Sequence, residues 1–235
     1  MKLKEIRTKI KNLGNKEVAI ISQRFFKTGA GQYGEGDIFI GIRVPVLRSL
    51  AKEFQDIDLK EVKQLLESSI HEERLLALLI LIKQFAKGND EIKNNIYDLY
   101  LSKTKYINNW DLIDCSAEHI VGKHLQNKNR KPLYQLAKSA SMWERRISIL
   151  ATFCFIKQQM FEETLKVSKL LLKDREDLIH KAVGWMLRET GERDIDTEIE
   201  FLNQYYRVMP RTMLRYAIEK FPENERQRYL RGENV

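Results

Sequence analysis

The feature that most constrains the fold of this chain is the spacing of its apolar residues, which recur three and four positions apart along most of its length. This spacing places apolar side chains on one face of an α-helix. A period of two, typical of a strand, is confined to the short run 37–40, which a loop would also explain. The sequence therefore predicts an all-α protein, with its clearest stripes at Leu75, Leu78, Leu79 and Ile82; Ile147, Leu150, Ala151 and Cys154; and Ile179, Val183, Met186 and Leu187.

Turn-forming residues divide the chain into helix-sized segments, with breaks at Gly14-Asn15, 29–41, Gly88-Asn89, 127–129 before Pro132, and Pro210. Four predicted helices also begin near positions about 36 residues apart, at Arg74, Trp110, Arg146 and Lys181. One helix pair per repeat is typical of an α-solenoid, and the tetratricopeptide pattern is absent. We therefore expect a single domain over 1–235, built of HEAT-like helical repeats with a concave basic groove.

Composition limits the class of protein further. Of 235 residues, 43% are hydrophobic and 31% charged, which excludes a disordered chain or a disulfide scaffold. No stretch approaches the roughly 18 apolar residues that span a bilayer, and the charged N-terminus lacks the apolar core of a signal peptide. The only cysteines, Cys115 and Cys154, fit a reducing cytoplasm, and too few ligands surround them for a zinc site. The expected location is the cytoplasm, with no membrane contact.

The net charge of +8 is unevenly distributed along the chain. Residues 1–50 and 101–150 are strongly basic, whereas 51–100 and 151–200 are acidic. A basic excess in particular segments indicates a polyanionic partner, foremost nucleic acid. Charge that serves only solubility is the alternative.

Trp185 lies among cations on its predicted helix, away from the main apolar stripe. Lys181 is four residues before it and Arg188 three residues after it. This placement suits an aromatic platform for a base, a sugar or a cation. Packing of the indole against the next repeat would explain the same pattern.

Trp110 and Asp114 are four residues apart and share a helix face. Asn108 or Asn109 is a suitable N-cap, which would place Trp110 in the first turn. A favourable charge at the helix N-terminus accounts for Asp111. Asp114, one turn further, needs a partner or a ligand, and an ion pair with a neighbouring helix is the structural alternative.

Arg146 lies off the apolar stripe of its helix and follows Arg145 directly. Adjacent helical residues point about 100° apart, so we expect only one of these arginines to face a groove. An ion pair between repeats, for example with Asp114, is the structural alternative, and it would also keep the carboxylate ionised.

The glycine-rich segment 27–41 lacks the context of a dinucleotide or phosphate-binding loop, so we expect a flexible connector there. The histidines at 71, 119, 124 and 180 show neither metal-ligand spacing nor a catalytic triad pattern. We therefore expect no metal and no cofactor.

Four segments, in this order, resemble the AlkD-type DNA alkylation repair family: FIGIRVPVLRSLAK, NNWDLID, WERRISIL and HKAVGWMLRE. The resemblance extends over roughly residues 5 to 225. It implies a HEAT-like fold, and an activity that removes alkylated purines from double-stranded DNA, by a monomer without a small-molecule cofactor.

The resemblance also implies roles for individual residues. Trp110 and Trp185 match the two lesion-side tryptophans of the family, Asp114 its catalytic aspartate, and Arg146 the arginine beside that aspartate. Phe25 stands where the best-known branch has a tyrosine, and 29–36 looks like an insertion. Lys181 and Arg188 are expected to bind the DNA backbone.

Three functions stay open at this point. The first is a DNA glycosylase that hydrolyses the N-glycosidic bond of N3- or N7-alkylated purines. The second is a non-catalytic binder of damaged or branched DNA, since related branches have lost the activity. The third is a protein-interaction scaffold, because a fold alone does not fix a function.

Overall fold

The computed structural model describes residues 2–233, and their regular secondary structure is helical. Within this range no strand forms, and Ile38 and Ile70 make an isolated parallel bridge. The prediction of an all-α chain is confirmed. The bridge accounts for the short alternating run at 37–40, since Ile38 pairs there with the residue that precedes a helix.

The described residues form two compact units, the first ending at Ile120 and the second beginning at Val121. In the first unit the central helix is α5, which contacts α3, α4, α6 and α7. Most of its residues from His71 to Leu81 are buried, because other helices enclose it. The first four are polar or charged, and the rest are apolar. The helices are α1 (Lys2–Leu13), α2 (Lys16–Phe25), α3 (Val44–Glu53), α4 (Leu59–Leu66), α5 (His71–Lys87), α6 (Asp90–Ser102) and α7 (Trp110–Asp114), with a 3-10 turn at Thr104–Tyr106.

In the second unit the central helix is α13, which contacts α10, α11, α12, α14 and α15. Gly184 allows the close approach to α15, because a Cβ at this position would lie 2.4 Å from the Met213 carbonyl oxygen. The helices are α8 (Lys123–Leu125), α9 (Lys131–Leu136), α10 (Met142–Ala151), α11 (Phe153–Ile156), α12 (Glu162–Leu171), α13 (Asp177–Gly191), α14 (Ile195–Tyr205), α15 (Arg211–Ala217) and α16 (Glu223–Arg231), with a 3-10 turn at Ile218–Lys220.

Within each unit, helices contact mainly their near neighbours in sequence, as in a solenoid-like array. The predicted breaks are confirmed, but the predicted helix after Trp110 is not continuous. It ends at Asp114, and a π-helical turn follows at Glu118–Gly122. The HEAT-like repeat, the single domain over 1–235 and the concave basic groove stay predictions. Among the described residues, no helix is long and apolar enough to cross a membrane.

Candidate functional site

The short helix α7 carries two of the predicted site residues at its ends. Asn109 caps it, and its side-chain oxygen accepts the backbone N–H of Trp110 at 2.9 Å, which confirms the predicted cap. Trp110 and Asp114 both keep part of their surface exposed. Neither is enclosed in the apolar interior of the first unit. Cys115 follows, and desolvation together with the nearby Asp111 and Asp114 raises the pKa of its thiol, which favours the protonated form.

Two phenylalanine rings contact the indole of Trp110. Phe26 stacks on it with a centroid distance of 5.1 Å, and Phe25 meets it edge-on at 5.7 Å. The stack continues from Phe26 to Phe39 at 4.9 Å and from Phe39 to the His71 ring at 4.3 Å. Phe25 itself is 63% exposed, so it is an accessible apolar edge beside Trp110.

Beneath this stack lies a group of charged side chains, Asp37, His71, Arg74 and Asp111, which we call the ion cluster. His71 contacts carboxylates on both sides, through Nδ1 to Asp37 at 2.9 Å and through Nε2 to Asp111 at 2.8 Å. Asp37 also accepts from Arg74 at 2.5 Å and from the Asn109 amide at 3.2 Å. Asp37, His71 and Arg74 are all buried.

The cluster shifts the pKa values of its members. For Asp37 burial acts to raise the pKa, but the bonds from His71 and the charge of Arg74 outweigh it and lower that pKa. For His71 burial acts to lower the pKa, and the bonds to Asp111 and Asp37 outweigh it and raise that pKa. Both groups therefore favour their charged forms.

The glycine-rich segment supplies Asp37 and is more than the flexible connector that we expected. It runs through successive hydrogen-bonded turns and ends where Phe39, Gly41 and Ile42 are buried. The buried carboxylate of Glu72 accepts the backbone N–H groups of Ile40, Gly41 and Ile42. At Gly41, φ is +84°, and a Cβ would lie 2.0 Å from the Asn15 carbonyl oxygen, so this crossing of the chain requires glycine.

In the second unit Trp185 is half-buried on α13. Its indole N–H donates to Glu189 at 3.0 Å, and Glu189 in turn pairs with Arg193 at 2.9 Å. The Phe153 ring lies 6.1 Å from the indole, and Lys157 lies 4.2 Å from the centroid of that ring. Trp185 is therefore neither fully packed away nor fully exposed.

The other predicted residues of this unit have partners within it. Arg146 is buried and donates to the carbonyl of Leu178, whereas Arg145 pairs with Asp174 at 2.6 Å. The two arginines thus diverge, as expected. Lys181 and Arg188 pair with Asp177 and Glu219 respectively, so each must exchange a carboxylate for a phosphate in order to bind DNA. Binding of the DNA backbone by Lys181 and Arg188 therefore stays a prediction.

Sequence reasoning missed Asp37 and His71 as members of one cluster, and it explained Asp111 by the helix terminus alone. These two hydrogen-bonding partners are 34 residues apart, so no local spacing in the sequence indicates their contact. It also missed Glu189, which orients Trp185. An acidic residue four positions after a tryptophan on a helix was the available signal. Among residues 2–233, no group of His, Cys, Asp or Glu side chains has metal-binding geometry.

The chain is thus an all-helical, solenoid-like protein in which Trp110 and Trp185 are both partly exposed. The family model described as DNA alkylation repair enzyme matches residues 6–221. The chain therefore belongs to this family, which confirms the resemblance and indicates a DNA alkylation repair enzyme with DNA as its partner.

Structural comparison agrees with the family. A solved structure titled "Predicted DNA alkylation repair enzyme from Enterococcus faecalis" matches with a TM-score of 0.69 at 16% identity. The match covers 89% of this chain and 97% of the other. The two proteins thus share a fold, which confirms the solenoid-like class. No curated protein matches the sequence significantly.

Proposed function

We propose that this protein is a monomeric DNA glycosylase that releases N3- and N7-alkylated purines from double-stranded DNA. The family supplies the substrate class, since it repairs DNA alkylation. The observation that carries the finer proposal is that Trp110, Asp114 and Trp185 all remain partly exposed. A site for a damaged nucleotide needs such residues at the surface, and burial of either indole in an apolar interior would have removed it.

The substrate makes this reaction accessible to a single carboxylate. A purine alkylated at N3 or N7 is cationic, and it leaves as a neutral base with both electrons of the C1′–N bond. The deoxyribose then carries oxocarbenium-like positive charge, as in glycoside hydrolysis. Water adds to C1′ and loses a proton to complete the hydrolysis.

Asp114 has the chemistry that this step needs. Its ionised carboxylate would stabilise the positive sugar and orient the attacking water. Trp110 in the first unit and Trp185 in the second would each offer an indole surface that favours a cationic group. Phe25, exposed beside Trp110, would add an apolar contact without the hydroxyl that a tyrosine offers.

Three cations of the second unit would act on the DNA through their charge, namely Arg146, Lys181 and Arg188. Arg146, which is buried and donates to the Leu178 carbonyl, would act on a DNA phosphate through its positive charge. Lys181 and Arg188 would bind the DNA backbone without reading its sequence. The sequence offers no support for a pocket that receives a flipped base, and the family resemblance implies recognition from the backbone side, which would tolerate bulky adducts.

The test compares release of 7-methylguanine from methylated duplex DNA by the wild-type protein and by Asp114→Asn. We expect at least about a 100-fold lower rate, because the amide cannot offset the developing positive charge. DNA affinity, measured by fluorescence anisotropy, should change little.

Asp98→Asn is the matched control, since it removes one carboxylate from an exposed position of the same unit. It should release base at the wild-type rate. Release by Asp114→Asn at that rate would overturn the assignment of Asp114. DNA binding without any base release by the wild-type protein would instead indicate a non-catalytic binder, and absence of salt-sensitive DNA binding would indicate a scaffold.

A further inference from the structure

The two residues that flank Trp110 in the chain are both anchored to the ion cluster. Asn109 donates its side-chain amide to Asp37, and Asp111 contacts Nε2 of His71. Asn109 also accepts the backbone N–H of Trp110 itself. The backbone of Trp110 is therefore held from both sides by groups that meet at Asp37 and His71.

The geometry of His71 fixes its protonation. An ionised carboxylate only accepts hydrogen bonds, and a neutral imidazole has a single N–H to donate. His71 has a carboxylate oxygen within 2.9 Å of each ring nitrogen. With both carboxylates ionised, both nitrogens carry a proton, so His71 is an imidazolium. Two cations, His71 and Arg74, then balance the two anions of the ion cluster.

We propose that His71, as a buried imidazolium between Asp37 and Asp111, is the positioning residue that holds the first turn of α7 and thereby Trp110 and Asp114. The inference rests on the proposed function. His71 does not touch the substrate in this account. It acts through Asp111 and through the ring stack formed by Phe26 and Phe39.

The charged groups that face His71 are Asp37 from the segment before α3, Asp111 from α7, and Arg74 from its own helix. Loss of the His71 proton leaves one N–H for two carboxylates. The bond to Asp111 is the one that we expect to break, because that side chain is 16% exposed against 3% for Asp37 and can turn to water. The start of α7 would then loosen.

Loss of the His71 proton should set an alkaline limit to catalysis. The contacts with two carboxylates raise the pKa of His71 above its ordinary value, in opposition to burial, so the fall lies above pH 6.5. Single-turnover base release by the wild-type protein should decline there by the loss of one proton, whereas DNA affinity should not. Misplacement of reacting groups lowers the rate of the chemical step more than it lowers binding.

Asp111→Asn is the decisive variant. An amide can donate its N–H to Nε2 while Nδ1–H of a neutral imidazole donates to Asp37, so the contact no longer needs a second proton. We expect this variant to lose the alkaline decline. His71→Gln should also lack the alkaline decline, and it should release base about 10- to 100-fold more slowly than the wild-type protein.

The control variant Asp98→Asn should keep the wild-type pH profile. All variants are assayed on the same DNA substrate, so the pH dependence of spontaneous base loss affects each rate equally. Proton NMR of the His71 ring supplies a readout independent of activity, with its resonance assigned by absence from His71→Gln. It should titrate above pH 6.5 in the wild-type protein and lower in Asp111→Asn.

The outcomes separate the two proposals. Base release with the same alkaline decline in the wild-type protein and in Asp111→Asn would overturn the role of His71 and leave the glycosylase standing. A His71 ring that is neutral at pH 6.5 would also overturn it. The predicted titration in a protein that releases no base would overturn the glycosylase while keeping the imidazolium.

Discussion

The surroundings of Trp110 and Trp185 differ in what holds each indole. Trp110 rests on a stack of rings, and its neighbours in the chain are anchored to buried, charge-balanced side chains. Trp185 is held by Glu189, which itself pairs with an arginine whose side chain is 29% exposed. Other ion pairs on the same helix are also partly exposed.

This difference indicates a division between a preorganised region and an adaptable one. Buried ionic groups are costly to break once one partner is lost, so they fix a geometry. Exposed pairs contribute little and exchange partners easily. The fixed geometry therefore lies around Trp110 and Asp114, and the adjustable contacts lie around Trp185.

The largest expected difference is in stability. Arg74→Ala leaves the buried carboxylate of Asp37 without its arginine, and we expect a loss of about 3–5 kcal/mol in the free energy of unfolding. Arg193→Ala removes the pair beside Trp185 and should cost less than about 1 kcal/mol. Urea unfolding of both variants measures the contrast, and equal losses would contradict it.

The second expected difference is in the pH dependence of stability. Burial raises the pKa of Glu198 in the second unit to about 8, with Arg188 opposing and Glu192 adding to the shift. A folded-state pKa above the ordinary value gives stability that is complete below about pH 4.5 and is lost as pH rises through 8. Asp37, with a lowered pKa, has the opposite dependence, since its contribution is present above about pH 3.8 and is lost as pH falls through its folded pKa.

Glu198→Gln should therefore raise stability at pH 9 by about 2–5 kcal/mol relative to the wild-type protein, and little at pH 5. Thermal unfolding at the two pH values measures this. Glu200→Gln, exposed on the same helix, is the control and should show no such difference. His71 also loses its stabilising proton as pH rises, but Glu198→Gln leaves that contribution unchanged, so the comparison isolates Glu198.

The smallest expected effect concerns the exchangeable pairs. Arg188→Ala should weaken DNA binding several-fold and lower the salt slope by about 1. Glu219→Gln removes the partner that competes with phosphate for Arg188, so it should strengthen binding. Titrations of duplex DNA at several salt concentrations measure both. Changes of the same sign would contradict the exchange.

Most of the fold could be predicted from the sequence, because helices and their breaks are recorded in local patterns. The apolar stripe of α13 and the Asn109 cap both follow from residues within a few positions of one another. The early end of α7 could not be predicted, since Ala117 and Val121 continue the apolar pattern beyond Asp114 and only tertiary packing interrupts the helix.

The part of the candidate site that lies within one helical turn could also be predicted from a local pattern. Trp110 and Asp114 lie in one turn, so their spacing alone suggests a shared face. The ion cluster joins positions 37, 71 and 111, and no local spacing relates them. A buried network of this kind is visible only after folding brings the loop before α3 against the starts of α5 and α7.

The most direct test of the central claim is single-turnover release of 7-methylguanine from duplex DNA, with protein in excess over sites. The account predicts release by the wild-type protein well above spontaneous depurination, and release by Asp114→Asn close to the spontaneous rate although the DNA is still bound. Equal rates for the two proteins would show that Asp114 does not carry the reaction.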